Sequence, residues 1–386
     1  MGKWEMVRLG DVCEKVLTED PTKYDKIIDY IDISAINADT KEITGHRTIH
    51  STEAPSRARQ KVNIGDILVS TVRPNLNAVA IVKAHNNDII ASTGFCVLRT
   101  KHNLALNKYV FEITKSTGFV YDMVNQATGA SYPAVSDKII FNHKIPLPPL
   151  ATQQKIADIL DRANALMEKR KAQIEKLDLL VKSQFVEMFG DPVTNPMGWE
   201  RGKVIDFCDC MVPGRDKPKS FTGNVPWITI DDLIVNGITH KSKNNMGLST
   251  LEMVQVKRKP VPAGSVLMSC VGNLGILSIA GTDVVINQQL HSFQCKDKVI
   301  NVFIMFELGW QKSYMKKMAN STTLPYMNKS TCNSIPVRVP PLALQTQFAN
   351  FVECLETQKA QLKKSLALLE LNYKSLVQKC FKGEML

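Results

Sequence analysis

The chain has 386 residues, a hydrophobic fraction of 44% and a formal net charge of +11. This length indicates two or three domains, and the apolar content excludes an intrinsically disordered protein. No uninterrupted apolar run reaches the roughly 18 residues of a membrane span, and the first residues lack the apolar centre of a signal peptide. The nine cysteines are scattered without a C-x-x-C pair. This pattern predicts reduced thiols, no zinc site and a cytoplasmic location without membrane contact.

Residues 1–147 are predicted to form a first domain of mixed α/β structure. Alternating apolar residues predict short strands, and the wider apolar spacing near the end of the domain predicts a helix. We expect a strand and helical turn at Trp4–Cys13, and strands at Tyr30–Ile33, Ala78–Lys83 and Gly94–Arg99. Val62–Thr71 should form two short strand pieces with a turn at Gly65-Asp66. A helix is expected at Asn107–Asn125, a loop at Gly129–Pro133 and a short strand or turn at Asp137–Leu147.

Residues 148–191 are predicted to form a long central helix. The segment begins with Pro148-Pro149 and then has neither Pro nor Gly until Gly190. Its apolar residues follow a heptad spacing with charged residues between them, which is typical of a coiled coil. A helix of roughly 38 residues would be roughly 57 Å long.

Residues 192–339 are predicted to form a second domain on the plan of the first. Trp199-Glu200 corresponds to Trp4-Glu5, and Trp227-Ile228-Thr229-Ile230 stands in the place of Tyr30-Ile31-Asp32-Ile33. Ala263–Ser269 likewise corresponds to Ile64–Ser70. Between these matched segments the two domains differ, which indicates one scaffold carrying two different surfaces.

Residues 340–386 are predicted to form a second long helix that repeats the first. Pro340-Pro341-Leu342 follows Pro148-Pro149-Leu150 at an offset of 192 (340 − 148), and Gln345 falls on Gln153. We expect the two helices to pair in antiparallel orientation. The alternative is two unrelated amphipathic helices packed into separate cores. The expected pairing positions are Ile156, Leu160, Ile174, Leu177, Val181, Phe348, Val352, Leu355, Leu366, Leu369 and Tyr373.

The sequence contains no convincing catalytic signature, including no G-x-x-x-x-G-K-[ST] phosphate loop. Basic clusters and polar residues instead occupy predicted loops of both domains. Lys and Arg bind DNA phosphates, and Arg, Asn and Gln read base edges, so the net positive charge makes nucleic acid the leading partner. The DNA-binding candidates are Arg57, Arg59, Lys61, Arg73, Asn75, Lys217, Lys219, Lys241, Lys243, Lys257, Arg258, Lys259, Asn273, Gln288 and Gln289.

Several of these segments resemble the specificity subunit of type I restriction–modification systems. The resemblance rests on the segments Trp4–Asp11, Gly65–Leu68, Ser131–Ser136 and Ile145–Ala157, and it extends over nearly the whole chain. The second helix departs from the pattern at Thr346 and Gln347, which replace Gln154 and Lys155. The resemblance implies an α+β fold, with two similar mixed α/β target-recognition domains separated by two long antiparallel coiled-coil helices.

The same resemblance implies a non-catalytic DNA reader. Each domain would read one half of a bipartite, asymmetric site in double-stranded DNA, and the helices would set the spacer between the halves. Two methyltransferase subunits and the restriction subunits would dock on the chain and bring S-adenosylmethionine, ATP and Mg²⁺, which this chain would not bind. Two alternatives stay open: a coiled-coil scaffold with protein-binding head domains, and a stand-alone DNA-modifying enzyme with an unrecognised site.

Overall fold

The computed structural model describes residues 4–83, 85, 87–214, 216–320 and 323–385. The chain forms two compact units, of which unit 1 comprises Met1–Lys171 with Lys364–Leu386, and unit 2 comprises Ala172–Lys363. Each unit therefore contains a mixed α/β domain together with part of each long helix. Within the described residues, no helix has the length and apolar character needed to cross a membrane.

Unit 1 is built from short strands arranged in small sheets. Its strands are β1 (Met6–Arg8), β2 (Cys13–Lys15), β3 (Ile27–Ile31), β4 (Ile36–Asn37), β5 (Glu42–Ile43), β6 (Arg47–His50), β7 (Ala58–Val62), β8 (Ile67–Ser70), β9 (Val79–Ile81), β10 (Asp88–Ser92), β11 (Phe95–Thr100) and β12 (Lys144–Pro146). They form sheets in the orders β6-β3-β10-β7, β2-β11-β8-β9, β4-β5 and β1-β12, in which β3 and β10 pair in parallel. Its shorter helices are α1 (Leu9–Val12), α2 (Asn107–Lys115), α3 (Thr117–Asn125) and α4 (Asp137–Asn142).

Two long helices follow the two domains. α5 (Leu150–Phe189) has 40 residues, which is about 60 Å at the usual rise per residue. It begins in unit 1 and ends in unit 2.

Unit 2 repeats the plan of unit 1. Its strands are β13 (Glu200–Lys203), β14 (Cys208–Met211), β15 (Val225–Ile228), β16 (Ile238–Thr239), β17 (Gly247–Leu248), β18 (Val266–Ser269), β19 (Leu277–Ala280), β20 (Val285–Ile286), β21 (Leu290–Cys295) and β22 (Pro336–Val339). They form sheets in the orders β14-β21-β18-β19-β16, β17-β15-β20 and β13-β22. Its helices are α6 (Val204–Phe207), α7 (Thr250–Gln255), α8 (Asn301–Trp310), α9 (Lys312–Met318) and α10 (Lys329–Asn333), followed by the 41-residue α11 (Leu342–Lys382).

The central sheet of each unit is buried on both faces. In β8, Ile67 and Val69 join a core with the helices, whereas Leu68 joins a second core on the opposite face. In β18, Val266 and Leu267 are divided between two cores in the same way. Since successive side chains of a strand point to opposite faces, these strands read in the sequence as continuous apolar runs rather than as alternation.

The long helices run antiparallel within each unit. In unit 2, Phe189 packs against Phe348 with ring centroids 5.5 Å apart, and Lys359 forms an ion pair with Asp178. Residues near the end of α5 therefore contact residues near the start of α11, and residues earlier in α5 contact residues later in α11. In unit 1, α5 and α11 contribute to one core, and Asn164 donates a hydrogen bond to the hydroxyl of Tyr373. The predicted fold class is confirmed, and the alternative of two helices in separate cores is wrong.

Three predicted elements of unit 1 need correction. The helix expected at Asn107–Asn125 is two helices, because Ser116 is extended and its hydroxyl accepts the Phe119 N–H as an N-cap. The strand expected at Tyr30–Ile33 ends at Ile31, because Asp32 instead caps a short 3₁₀ turn. The segment expected as a closing strand or turn begins with helix α4 and only then forms β12.

Candidate nucleic-acid interface

A loop with two left-handed residues follows β8 in unit 1. Arg73 and Asn77 have φ angles of +51° and +47°, a region that residues other than Gly rarely adopt. The Arg73 amide donates a hydrogen bond to the carbonyl of Pro133 (2.7 Å), and the Arg73 guanidinium lies 4.7 Å from the ring centroid of the exposed Tyr132. Asn75 is also exposed. The loop therefore presents a guanidinium, an aromatic ring and an amide to solvent on a backbone fixed by hydrogen bonds.

Unit 2 has a similar loop that begins in the same way and carries different side chains. After β18, Gly272 and Gly275 adopt φ angles of +71° and +74°, and the Gly272 amide donates to the carbonyl of Pro325 (2.8 Å). Pro325 corresponds to Pro133 at the offset of 192 found in the sequence. The position of Arg73 is therefore taken by a glycine, while Asn273 next to it is exposed. The two loops share a left-handed first residue bonded to a matched proline, but the second left-handed residue follows four residues later in unit 1 and three residues later in unit 2. They also differ in the chemistry that they present.

The basic cluster of residues 57–61 in unit 1 is only partly available to a ligand. Arg57 is exposed. Lys61 is also exposed, with its Nζ 3.9 Å from the nearest carboxylate oxygen of Asp88. Arg59 is half-buried and donates a hydrogen bond of 2.8 Å to the Asp20 carboxylate. We therefore regard Arg59 as an internal ion-pair residue and keep Arg57 and Lys61 as surface cations.

In unit 2 the structure brings together candidates that lie far apart in the sequence. The carbonyl of Asp216 accepts hydrogen bonds from Arg258 Nη2 (2.8 Å) and from Gln288 Nε2 (3.4 Å). Gln289 lies one residue further along, and its carbonyl accepts the amide of Cys270, which places it beside the Asn273 loop. The exposed Lys217, Lys219, Lys257 and Lys259 flank the same segments.

Arg258 differs from the other cations because it is only 6% exposed. Its guanidinium lies 5.5 Å from the ring centroid of Trp227, and burial lowers its pKa. The sequence showed no sign of this burial, which arises because Lys257 has a left-handed conformation (φ +50°) after α7 and the next side chain packs inward. Nε and Nη1 of Arg258 are buried and have no hydrogen-bond partner among the described residues. Arg258 also lines a cavity together with Lys257 and Lys259.

Two remaining candidates of unit 2 lie between β16 and β17. Lys241 is exposed, and the Lys243 ammonium donates a hydrogen bond to the carbonyl of Asp231. Ser242 between them is buried, and its hydroxyl donates to the Asp232 carboxylate. Lys241 therefore stays a candidate surface cation, whereas Lys243 is also exposed but its ammonium contacts a carbonyl of its own chain.

The predicted helix-pairing residues are buried to different extents. Ile156 and Leu160 in unit 1, and Val181, Phe348, Val352 and Leu355 in unit 2, are buried in the cores of their own units. Tyr373 is half-buried, and its hydroxyl donates to the carboxylate of the buried Glu112 (2.8 Å). The others are half-buried: Ile174, Leu177, Leu366 and Leu369.

Gln153 and Gln345 matched in the repeat, but their role appears only in the structure. Both are fully buried. The Gln153 side chain accepts the amide of Leu106 (2.9 Å) and donates to the carbonyls of Leu104 (3.0 Å) and Pro148 (2.8 Å). The Gln345 side chain accepts the amide of Ile300 (3.0 Å) and donates to two carbonyls in the same arrangement. Each glutamine joins the first turn of a long helix to the segment that precedes α2 or α8.

Arg338 joins the end of α5 to α8 within unit 2. It is 2% exposed, its Nε and Nη2 donate to the two carboxylate oxygens of Glu307, and its Nη1 donates to the carbonyls of Phe189 and Gly190. It thus supplies donors to carbonyls that a helix C-terminus leaves unpaired. The sequence signal was weak, since a charged residue in an apolar strand such as Val337-Arg338-Val339 has no predictable partner.

Among the described residues, the structure contains one group of three or more possible metal-ligating side chains: Asp29, His46 and His85 in unit 1. The cysteines are unpaired thiols, and most of them are buried. The loops after β8 and β18 offer cations, amides and an aromatic face. Cations and amides are the groups that contact phosphates and base edges.

Comparisons with known proteins agree with this chemistry. The chain matches the family described as type I restriction modification DNA specificity domain twice, over residues 1–176 and 196–371. It is 22% identical over 425 residues to the HindI specificity subunit of Haemophilus influenzae, covering 88% of this chain and 90% of that protein. It is 23% identical over 407 residues to the MjaVIII specificity subunit of Methanocaldococcus jannaschii, covering 94% and 90%. A solved chain from work on complex assembly and conformational transition of the type I restriction–modification system is 26% identical, with a TM-score of 0.67 and coverage of 99% and 98%.

Proposed function

Because this chain belongs to the family of type I restriction–modification DNA specificity domains, we propose that it reads a bipartite, asymmetric DNA site and performs no chemistry itself. In this proposal each domain, residues 1–147 and 192–339, contacts one half of the site. The long helices at 148–191 and 340–386 set the unspecified spacer between the halves.

The observation that carries this proposal is the pair of matched loops. Arg73 in unit 1 and Gly272 in unit 2 share a left-handed conformation and a hydrogen bond to the carbonyl of a matched proline. This matched anchor with exchanged side chains supports two domains that approach DNA alike and read different bases. An Arg can make bidentate hydrogen bonds to guanine, and a Gly cannot. The first loop would therefore carry base readout through Arg73, and the second through Asn273, Gln288 and Gln289.

The exposed cations would hold the protein in position on the DNA and would not read the base sequence. Arg57, Lys61, Lys217, Lys219, Lys241, Lys257 and Lys259 would bind phosphates, which makes affinity fall steeply with salt. A protein-binding scaffold would show a much flatter salt response. Titration of a labelled DNA duplex at increasing salt therefore separates these two functions.

Partner subunits would supply the chemistry. We propose that two methyltransferase subunits dock on the chain with S-adenosylmethionine. Restriction subunits would add ATP-dependent and Mg²⁺-dependent cleavage. The complex would act in the cytoplasm. The purified chain alone should neither methylate nor cut DNA, and co-expression with its methyltransferase should produce methylation. Methylation by the isolated chain would contradict a non-catalytic role.

The experiment that tests site reading is methylation mapping in cells that express the complex. Arg73→Ala should relax or change one half of the methylated motif and leave the other half and the spacer unchanged. Lys241→Ala is the matched control, because it removes an exposed cation outside both loops and should leave the whole motif unchanged. A motif unaltered by Arg73→Ala, or altered in both halves, would overturn the assignment of this loop.

The role of the helices is tested by changing their length. Inserting one heptad into α5 and one into α11 preserves the apolar seam, because the repeat of the seam is seven residues. The spacer between the two half-sites should lengthen while both half-site sequences stay the same. Changed half-sites with an unchanged spacer would contradict the proposed role of the helices.

A further inference from the structure

The carboxylate of Asp29 lies at the centre of a group that the DNA-reading role does not use. Asp29 belongs to β3, with β6 on one side and β10 on the other, and its side chain is 3% exposed. His85 Nδ1 lies 3.3 Å from Asp29 Oδ2, and His46 Nε2 lies 3.9 Å from Oδ1. The two imidazole rings meet edge to face, with centroids 4.8 Å apart.

The spacing of these atoms fits a tetrahedral divalent cation. All three ligand atoms lie within 4.8 Å of one another. Ligands at about 2.0–2.1 Å from Zn²⁺ in a tetrahedron are separated by about 3.4 Å, so His85 and Asp29 are already at that distance. His46 must move closer to the other two ligands, which a side chain that is 41% exposed can do by rotation.

Two polar side chains orient the Asp29 carboxylate. Thr48 Oγ1 and Asn87 Nδ2 both donate hydrogen bonds to Oδ1, at 2.8 Å and 3.1 Å. These bonds hold the carboxylate so that Oδ2 faces His85. Hydrogen bonds of this kind orient ligating carboxylates in metal sites.

The charge balance also favours a bound cation. In the described part of the chain, the ion pairs of Asp29 are with the two histidines, and none is with Lys or Arg. A buried carboxylate is costly unless a cation or hydrogen bonds compensate its charge. A divalent ion bound by the two imidazoles and the carboxylate would supply such a cation.

We propose that Asp29, His46 and His85 form a zinc site that fastens the segments before β6 and β10 to the sheet of unit 1. A water molecule would occupy the fourth position, on the side of the exposed His46. Unit 2 cannot form this site, because the residue that corresponds to Asp29 is Pro226, one position before Trp227. The site therefore belongs to only one of the two matched domains.

Binding is tested on the full chain after removal of metals with a chelator. Titration with Zn²⁺ in a calorimeter should show one ion per chain with a dissociation constant in the micromolar range or below. His46→Ala and His85→Ala should each weaken binding by at least tenfold. His50→Ala is the matched control, because His50 contacts the exposed Asp25 rather than this group, and it should bind as the wild type does.

A second measurement excludes binding at the nine thiols. Co²⁺ bound to nitrogen and oxygen ligands should give weak visible bands without the strong near-ultraviolet band of a cobalt–thiolate bond. These bands should disappear in His46→Ala, whose fold is checked by circular dichroism, and persist in Cys354→Ser, which removes the exposed thiol. No Zn²⁺ binding, or wild-type affinity in both histidine variants, or a thiolate band would overturn the proposal.

Discussion

The buried glutamines Gln153 and Gln345 lead to a quantitative prediction. Replacing Gln153 with Ala removes the hydrogen bonds that it makes to Leu106, Leu104 and Pro148. A hydrogen bond contributes about 1 kcal/mol net, and an unsatisfied buried group costs about 1–3 kcal/mol. Three lost bonds at a fully buried position should therefore lower the free energy of unfolding by about 3 kcal/mol.

The chain supplies a close control for this substitution. Gln154 is the next residue, has the same side chain and is exposed, with its amide bonded to Asp158 on the same helix. Gln154→Ala should change the free energy of unfolding by less than about 0.5 kcal/mol. Gln345→Ala should reproduce the effect of Gln153→Ala, because Gln345 makes the same set of three bonds in unit 2.

Urea unfolding followed by circular dichroism measures these differences. Gln153→Glu provides a further test, because a carboxylate cannot donate to the two carbonyls and its charge would be buried. We expect it to destabilise at least as much as Gln153→Ala. If Gln153→Ala and Gln154→Ala have equal effects, the argument from buried hydrogen bonds is refuted.

Three further predictions follow from buried and exposed charges. Arg338→Met should lower the free energy of unfolding, measured in urea, by about 3–5 kcal/mol, because it leaves a buried carboxylate unpaired. Arg201 is the exposed residue that pairs with Arg338 across β13 and β22, and Arg201→Met should cost less than about 0.5 kcal/mol. Burial lowers the pKa of His291 to about 4, so the unfolded chain binds its proton first as the pH falls. Neutral His291 makes its full contribution to the free energy of unfolding above pH 6.5. This contribution should fall by about 2.5 kcal/mol by pH 4.5. His291→Gln should show less acid destabilisation when unfolding is compared at pH 7 and 4.5, and an unchanged pH dependence would contradict this. Lys217→Ala and Lys219→Ala should each reduce the log–log slope of DNA affinity against salt by about 0.9, measured by fluorescence anisotropy; an unchanged slope would mean that neither contacts phosphate.

The repeat made the large-scale organisation predictable from the sequence. The heptad seam depends on local spacing, and its outer positions Ile156, Leu160, Phe348 and Val352 are buried as expected. Strands β8 and β18 were also predictable, because both faces of the central sheets are covered and the apolar residues are continuous.

The predictions failed where one side chain decides the path of the backbone. Ser116 divides a helix that its apolar spacing had suggested was continuous, and Asp32 ends a strand by capping a turn. Arg258 stands between two lysines and looks like a surface residue, yet the turn at Lys257 directs it against Trp227. These outcomes depend on tertiary contacts between distant segments, which local patterns do not contain.

The ladders that close the two domains have a consequence for protein engineering. Met6 pairs with Pro146 on adjacent strands, and Glu200 pairs with Val339 in the same way. The first and last strands of each domain are therefore adjacent, and a long helix begins directly after the last strand. A homologous globule with the same two end strands could be spliced into this place without lengthening or rotating the helices. Recombination at these two junctions is thus a route to hybrid proteins with new target preferences.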